Sequence, residues 1–182
     1  MESQHTEPHG GEPHGGHELI ARGIIQRDGA ILVNRSRNEK TGEEYCALPG
    51  GHVDAGESCP QALRRELQEE LECDATVGDL RFVCESIYPG RRPSETRRHE
   101  IVLLFEAQLT GELRERDGQI LSPEDNKNFA WLRHEDIAVA NLLPRAMRDF
   151  LLRFFSKTAA AEHPSNALET PPLYVFRDDT AS

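Results

Sequence analysis

The chain has 182 residues, 37% of them hydrophobic, which is enough for the core of one full-sized domain. Its net charge of −11 argues against a generic nucleic-acid or membrane binder, because such proteins need basic surface to bind phosphates. No apolar run is long enough to span a bilayer, and the N-terminus lacks the apolar core of a signal peptide, so we expect a cytoplasmic protein.

The first 17 residues are polar and repeat the sequence Glu-Pro-His-Gly-Gly at 7–11 and 12–16. Such a segment has too little apolar surface to offset the entropy lost on ordering. We therefore predict a disordered tail at residues 1–17. A transition-metal cluster of its four histidines is the less favoured interpretation.

Strand patterns begin after this tail. Two apolar runs, 24–26 and 30–33, flank Asp28-Gly29, a pair typical of a tight hairpin turn with positive φ. Arg35 and Arg37 then follow the second strand into a polar loop. They are either solvated surface residues or contacts for substrate phosphates, since a guanidinium matches phosphate geometry.

A short strand predicted at 45–48 leads into a glycine-rich turn. Gly50-Gly51 lets the backbone come close to a ligand, and Gly56 allows a second tight bend. Ser58 then fits a helix N-cap with Gln61 three residues later, a capping-box pair. The turn and the helix that follows it predict a pocket for metal and phosphate.

The helix predicted from Cys59 to about Cys73 has an apolar and an acidic face. Its apolar stripe consists of Leu63, Leu67 and Leu71. Its acidic arc, roughly 100° wide, consists of Glu66, Glu69 and Glu70. Carboxylates at these spacings repel one another, and a bound cation would reverse that repulsion. Oxygen ligands of this kind suit Mg²⁺, or alternatively Mn²⁺. A solvated face with Arg64 and Arg65 as partners is the other interpretation.

These residues resemble the signature of the Nudix hydrolases. That signature reads Gly, five free positions, Glu, seven free positions, then Arg-Glu-apolar-any-Glu-Glu-any-Gly-apolar. The matching residues here are Gly51, Glu57, Arg65, Glu66, Leu67, Glu69, Glu70 and Cys73. Glu72 departs from the pattern, because the family has Gly there. That Gly resembles a helix-ending residue, so the departure leaves the metal chemistry unaffected and allows the helix to run further.

The resemblance implies a Mg²⁺-dependent (or Mn²⁺-dependent) pyrophosphohydrolase that cleaves the diphosphate linkage of a nucleoside diphosphate derivative. The implied metal ligands are Glu66, Glu69, Glu70 and the carbonyl of Gly50. Arg65 and Glu57 would orient these carboxylates, and Gly51 would lie against substrate. A divalent ion there would neutralise pyrophosphate oxygens and activate a water for in-line attack.

The general base stays open at this point. Any of the three signature carboxylates would serve, and some family members use an acid in a later loop. Candidates outside the signature are Glu124, Asp125 and Glu135. Each of these is more simply interpreted as a surface residue.

The substrate is less determined than the family. Tyr88 and Pro89 lie where ADP-ribose hydrolases of the family often carry Pro and dinucleoside polyphosphate hydrolases often carry Tyr. We expect ADP-ribose or a nucleotide sugar first, and a (d)NTP or dinucleoside polyphosphate second. Tyr88 is equally interpreted as a strand residue with its ring in the core. A third hypothesis is a module that binds a nucleotide without cleaving it, although such modules usually lose carboxylates that this chain keeps.

An apolar strand predicted at 80–88 is followed by a basic segment at 89–98. Its arginines are Arg91, Arg92, Arg97 and Arg98. If this segment overhangs the metal site, Arg91 and Arg92 attract polyphosphate. Otherwise it is a long hairpin connection.

The remaining pattern completes a sandwich. Further strands are predicted at 99–109 and 128–132, a short helix at 134–137 and a longer helix at 144–155. The strand at 99–109 has the continuous apolar run of a central strand, and the last helix has one apolar face. Residues 18–157 thus predict a three-layer α/β/α sandwich around a mixed β-sheet, which the resemblance also implies.

Residues 158–182 are predicted to be a mobile C-terminal tail, in which 173–176 could add a strand to a sheet edge. Cys46, Cys59, Cys73 and Cys84 show neither a C-x-x-C pair nor a zinc spacing, so we expect reduced, mostly buried thiols. The expected partner is a small-molecule nucleotide. A homodimer is favoured by analogy with relatives alone.

Overall fold

The computed structural model describes residues 17–39, 41–89, 97–117, 119–125, 127–160 and 173–178. Arg91 and Arg92, and the predicted N-terminal tail apart from His17, lie outside the described residues. Within the described part of the chain, no helix is both long enough and apolar enough to cross a membrane.

The described elements are eleven strands, two α-helices and one 3₁₀ turn. The strands are β1 (His17–Ile24), β2 (Gln26–Arg27), β3 (Ala30–Arg37), β4 (Glu44–Ala47), β5 (Gly50–His52), β6 (Ala75–Pro89), β7 (Arg97–Leu109), β8 (Glu115–Arg116), β9 (Gln119–Ile120), β10 (Phe129–Arg133) and β11 (Leu173–Asp178). The helices are α1 (Cys59–Leu71) and α2 (Arg145–Ala160), and the 3₁₀ turn is His134–Asp136.

The strands form two sheets. The first is mixed, with strand order β11-β6-β7-β1-β5; β1 runs parallel to β7, and β11 runs parallel to β6. The second is antiparallel, with strand order β2-β3-β10-β9-β8 and β4 paired to β3. As predicted, β7 is central. The predicted α/β sandwich is confirmed, with the refinement that its middle layer contains a second sheet beside the mixed one.

The two helices cover opposite faces of this layer. Strand side chains alternate between the faces, so neighbouring residues of β3 enter different cores. Ile31 and Val33 belong to the core cluster that contains Met147 of α2. Leu32 belongs to the other cluster, which contains Leu63 of α1. This arrangement confirms the prediction that α2 packs opposite the signature helix.

Helix α1 begins where the capping pair predicted. The Ser58 N–H donates to Gln61 Oε1 at 2.8 Å. The leucine stripe, Leu63, Leu67 and Leu71, is fully buried. The acidic arc lies along the remainder of the helix, next to the glycine turn.

The predicted extension of α1 to Cys73 is wrong. The helix ends at Leu71, and Glu72 takes the left-handed conformation (φ 53°, ψ 30°), with its N–H donating to the Gln68 carbonyl at 3.0 Å. The chain has to turn sharply there to enter β6. Glu72 adopts the backbone conformation that Gly usually supplies at this place, although its Cβ makes that conformation unfavourable.

Two local predictions are confirmed. The turn between β2 and β3 has positive φ at Asp28 (49°) and Gly29 (75°), as a two-residue hairpin requires. Residues 173–176 lie in β11, at the edge of the chain's own mixed sheet. Val175 packs there against the α2-side core, whereas Tyr174 and Phe176 are exposed.

All four cysteines are free thiols. Cys73 and Cys84 are buried, and Cys46 and Cys59 are partly buried. Burial is thus confirmed for Cys73 and Cys84, and the reduced state stays a prediction.

Candidate active site

Two glycines bring β5 against its neighbours. Gly50 has φ +120°, and a Cβ on it would lie 2.2 Å from the Ala21 carbonyl oxygen. A Cβ on Gly51 would lie 2.4 Å from the carboxyl group of Glu66. Such distances are far shorter than van der Waals contact. Only glycine fits at position 50, where the obstacle is backbone, and a Cβ at position 51 would displace the Glu66 carboxylate. The carboxylate of Glu66 consequently lies directly on the β5 backbone.

Glu70 is buried under the same turn, with 1% of its side chain exposed. Its Oε2 accepts the Gly50 N–H at 3.0 Å, and its Oε1 lies 2.6 Å from Lys127 Nζ. Burial raises the pKa of the Glu70 carboxyl, while Lys127 and the Gly50 N–H oppose that rise. The ammonium group therefore stabilises a buried carboxylate that would otherwise be strongly disfavoured.

Arg65 joins the other three acidic signature residues. Its guanidinium donates to Glu57 twice (2.8 and 3.3 Å), to Glu66 at 2.9 Å and to Glu69 at 3.2 Å. It also donates to the His52 carbonyl at 2.9 Å. The hydrogen bonds with Glu57 raise the pKa of Arg65 and lower that of Glu57. One guanidinium thus holds the carboxylates of Glu57, Glu66 and Glu69 and connects them to the glycine turn.

Arg22 is a site residue that sequence reasoning missed. It lies in β1, and its guanidinium donates to the carbonyls of Leu48 and Gly50, the latter at 3.3 Å. Burial lowers its pKa, and the charges of Glu70 and of Glu100 oppose that change. The available signal was an arginine inside the apolar run 19–25, since a charge in such a run usually has a buried partner.

Lys127 was missed as well. It lies in the loop that also carries Glu124 and Asp125, two of the general-base candidates. Ser122 Oγ of the same loop donates to the Glu70 carbonyl at 2.7 Å, and the Glu124 N–H donates to Ser122 Oγ at 3.1 Å. This loop therefore lies beside Glu70, with Glu124 partly buried and Asp125 exposed.

Glu135, the last base candidate, lies elsewhere. Its carboxylate pairs with Arg133 at 2.8 Å, and 72% of its side chain is exposed. This contact is that of a surface ion pair on the 3₁₀ turn.

The predicted substrate residues are dispersed. Arg37 donates to the Gly42 carbonyl at 2.9 Å and so supports its own loop. Arg35 is exposed on β3, on the strand face of Val33. Tyr88 is a partly buried strand residue, with the Arg98 guanidinium 5.2 Å from its ring centroid. The predicted basic segment is also shorter than expected, because Arg98 and its neighbour belong to β7.

A family model described as the NUDIX domain matches residues 17–154, which is well over half of the chain. The chain belongs to the Nudix family. The fold, the glycine turn and the acidic helix described above are therefore those of a Nudix hydrolase.

Individual relatives agree with this assignment. The nucleoside triphosphatase NudI of Escherichia coli is 27% identical over 116 residues, covering 63% of this chain and 80% of the relative. The solution structure of the E. coli ORF135 protein has a TM-score of 0.55 and 27% identity, covering 81% of this chain and 95% of that protein. A Streptococcus suis ADP-ribose pyrophosphatase has a TM-score of 0.52 and 16% identity, covering 89% and 98%. The last of these supports the fold alone.

Nudix hydrolases generally use divalent cations, and the donors here fit such an ion. They are carboxylate oxygens beside a carbonyl, the ligands that hard cations prefer. Among the described residues, no three His, Cys, Asp or Glu side chains lie close enough together to hold a metal ion as they stand. The positive groups that contact these carboxylates are Arg65 and Lys127.

An open cleft of about 880 Å³ lies away from this Nudix site. Its described lining residues include Ile24, Gly78, Leu109 and Trp131, with Arg27 4.2 Å from the Trp131 ring centroid. No signature residue is among them. The volume of this cleft therefore does not describe the space available to a nucleotide at the signature helix.

Proposed function

We propose that this Nudix hydrolase is a Mg²⁺-dependent pyrophosphohydrolase of nucleoside polyphosphates. The observation that carries the proposal is the placement of Glu66 and Glu70 against the bare glycine turn. Because the turn lacks Cβ atoms, the Glu66 carboxylate lies against its backbone, and Glu70 accepts the Gly50 N–H. Carboxylate oxygens of this kind are the donors that Mg²⁺ prefers. The retention of every acidic signature residue supports hydrolysis over binding without cleavage.

The proposed ligands for the ion are Glu66, Glu69, Glu70 and the Gly50 carbonyl. When bound there, a divalent ion would supply neutralisation of phosphate charge and activation of water. Arg65 orients Glu66 and Glu69, and Glu57 holds Arg65 in turn. Arg22 fixes the turn by its contacts with the Leu48 and Gly50 carbonyls.

Glu69 is the signature carboxylate that we propose as proton acceptor. Its side chain is 53% exposed, compared with 16% for Glu66 and 1% for Glu70. A general base has to lie within hydrogen-bond reach of the water it deprotonates, and an exposed side chain has room for that water beside it. Glu124, on the loop beside Glu70, is the second candidate.

Nucleoside triphosphates are the first substrate class that we propose. The similarity to a nucleoside triphosphatase supports placing them ahead of ADP-ribose and nucleotide sugars, the first expectation from the sequence. Pro89, at the end of β6, keeps ADP-ribose as the second candidate, since ADP-ribose hydrolases of the family often carry Pro at this place.

The test is a substrate panel with the purified chain. Nucleoside triphosphates, ADP-ribose, nucleotide sugars and dinucleoside polyphosphates are incubated with Mg²⁺ and separately with Mn²⁺, and products are resolved by ion-exchange chromatography. We expect a triphosphate to give a nucleoside monophosphate and pyrophosphate. In water enriched in ¹⁸O, the label shows which phosphorus is attacked. Nucleotide binding without turnover across the panel would refute the hydrolase proposal. Turnover of ADP-ribose alone would refute nucleoside triphosphates as the substrate class and favour ADP-ribose in their place.

Glu69→Gln and Glu70→Gln test the site assignment. Because loss of a general base or a metal ligand removes transition-state stabilisation, we expect kcat to fall about 10²–10⁴-fold in each. Glu72→Gln is the matched control, since Glu72 is an exposed glutamate at the end of the same helix. We expect its kcat to stay within about twofold of wild type. Near-normal turnover in both site variants, with circular dichroism unchanged, would contradict the assignment.

A further inference from the structure

The ion pair between Lys127 and Glu70 has a function that the hydrolase signature does not assign. Among the described residues, Glu70 is the only charged residue that is fully buried. Both of its carboxylate oxygens are engaged, one by Lys127 Nζ at 2.6 Å and the other by the Gly50 N–H at 3.0 Å. Lys127 is thus the one full positive charge that the described residues place in direct contact with this carboxylate.

The loop that carries Lys127 is attached to the same residue a second time. Ser122 Oγ donates to the backbone carbonyl of Glu70 at 2.7 Å. The Lys127 side chain keeps 24% of its surface exposed, so it reaches Glu70 from the solvent side. Contacts at the backbone and at the side chain therefore both connect this loop to Glu70.

We propose that Lys127 is a positioning residue that serves as the counterion of Glu70 in the metal-free enzyme and withdraws when a divalent cation binds. This inference rests on the proposed function, in which Glu70 is a metal ligand. An ammonium group and a divalent ion on one carboxylate oxygen would repel each other strongly. Lys127 therefore holds the Glu70 carboxylate in place, and in doing so it lowers the affinity for the ion.

The other carboxylates lack a competitor of this kind. Glu66 and Glu69 share Arg65 with Glu57, so Arg65 keeps a partner when they turn towards an ion. Within the part of the chain that the structure describes, Lys127 contacts no second carboxylate. Competition at Glu70 is thus the step that sets metal affinity.

The experiment measures Mn²⁺ binding to the full chain without substrate, by the loss of the free-ion signal in electron paramagnetic resonance. We expect Lys127→Met to bind Mn²⁺ with a Kd lower by roughly tenfold, a typical coupling between two sites. Lys127→Arg keeps the charge and should stay within about threefold of wild type. Arg114→Met is the matched control, because it removes an exposed charge that pairs with Glu72 at the end of the same helix.

Thermal unfolding gives a second readout that is independent of catalysis. Lys127→Met should unfold at a lower temperature than wild type without metal, because Glu70 loses its counterion. Saturating Mn²⁺ should then raise its Tm by more than it raises that of wild type. If Lys127→Met does not fold without metal, the titration is done on Lys127→Gln.

The outcomes separate this inference from the proposed function. If wild type binds Mn²⁺, Glu70→Gln weakens that binding and Lys127→Met leaves the Kd unchanged or raised, the role of Lys127 is refuted while the metal site stands. If neither wild type nor Lys127→Met binds Mn²⁺ at millimolar concentration, both proposals fail. Binding that is equally strong in Glu70→Gln would place the ion elsewhere and would also overturn both.

Discussion

Gly51 shows how a single atom decides the geometry of the site. Its backbone is outside the left-handed region, so an alanine there meets no intrinsic backbone strain. The added Cβ would instead overlap the Glu66 carboxyl group, at 2.4 Å. The requirement for glycine at this position therefore comes from the site, and it is separate from the requirement at Gly50, where φ is positive and the obstacle is backbone.

Gly51→Ala should consequently impair catalysis more than folding. We expect kcat/KM to fall about 100-fold, because a displacement of about 1 Å at a reacting group has effects of that size. The Tm should fall only slightly, since Glu66 has solvent into which it can move. Gly78→Ala is the control, because its Cβ would make only ordinary contacts, the nearest at 3.6 Å. Equal activity in the two variants would show that Glu66 need not lie on the turn.

The contact between Glu57 and Arg65 makes the free energy of unfolding depend on pH. Arg65 holds the pKa of Glu57 below its ordinary value of 4.5, so the folded state binds this proton less readily than the unfolded state. The resulting stabilisation is complete above about pH 4.5 and is lost as the pH falls through the lower, folded-state pKa.

We therefore expect Glu57→Gln to have a lower Tm than wild type at pH 7, with the difference shrinking steadily below about pH 4.5. Scanning calorimetry between pH 7 and pH 3 measures this. Glu135→Gln, which loses an exposed pair with Arg133, should differ little from wild type at pH 7. If the Tm difference between Glu57→Gln and wild type is unchanged at pH 3, the charge of Glu57 is not the origin of that difference.

Individual site residues were predictable only where spacing along the chain placed them. Glu66, Glu69 and Glu70 share a helix face, so periodicity was sufficient to group them. Arg22 reaches the Leu48 and Gly50 carbonyls from a strand before the helix, and Lys127 reaches Glu70 from a loop after it. No local pattern joins segments so far apart, and only tertiary packing brings these two charges to the site.

Among the elements, helix α1 was predictable at its start but not at its end. The start depends on a local pair, Ser58 and Gln61, whose hydrogen bond forms within the first turn. The end depends on the direction in which the chain has to leave for β6. That requirement forces Glu72 into the left-handed region, at about 1–2 kcal/mol for a residue with a Cβ.

Replacing Glu72 should separate this strain from the ion pair with Arg114. Glu72→Ala keeps the strain and removes the pair, whereas Glu72→Gly removes both. We expect Glu72→Gly to be more stable than Glu72→Ala by about 1 kcal/mol, measured by urea unfolding. Glu112→Gly, at a position without positive φ, should show no such gain over Glu112→Ala. A Glu72→Gly variant no more stable than Glu72→Ala would indicate that the helix end relaxes at no cost.

For the whole molecule, the order of strands and helices predicted the layers but not the division of the strands into two sheets. The continuous apolar run of β7 correctly indicated a central strand. Which strands are hydrogen-bonded depends on long-range pairing, as between β3 and β10, and residues nearly 100 positions apart meet there, such as Asn34 and Phe129. The parallel pairing of β11 with β6 is equally non-local, so the sequence indicated only that residues 173–176 were suited to a strand.

Strand β11 offers a test of whether the two sheets unfold together. Val175 packs against the α2-side core from the edge of the mixed sheet, and Trp131, the single tryptophan, lies in β10 of the other sheet. We expect Val175→Ala to lower the free energy of unfolding by about 1 kcal/mol, because a partly buried side chain is truncated. Phe176 is half exposed on the opposite strand face, so Phe176→Ala should change the free energy of unfolding by less than about 0.5 kcal/mol.

The same variant tests cooperativity. If the domain is one cooperative unit, Trp131 fluorescence and far-ultraviolet circular dichroism will report the same shifted midpoint for Val175→Ala. A fluorescence midpoint that stays at the wild-type value while the dichroism shifts would show that β11 and its sheet edge open separately from the second sheet.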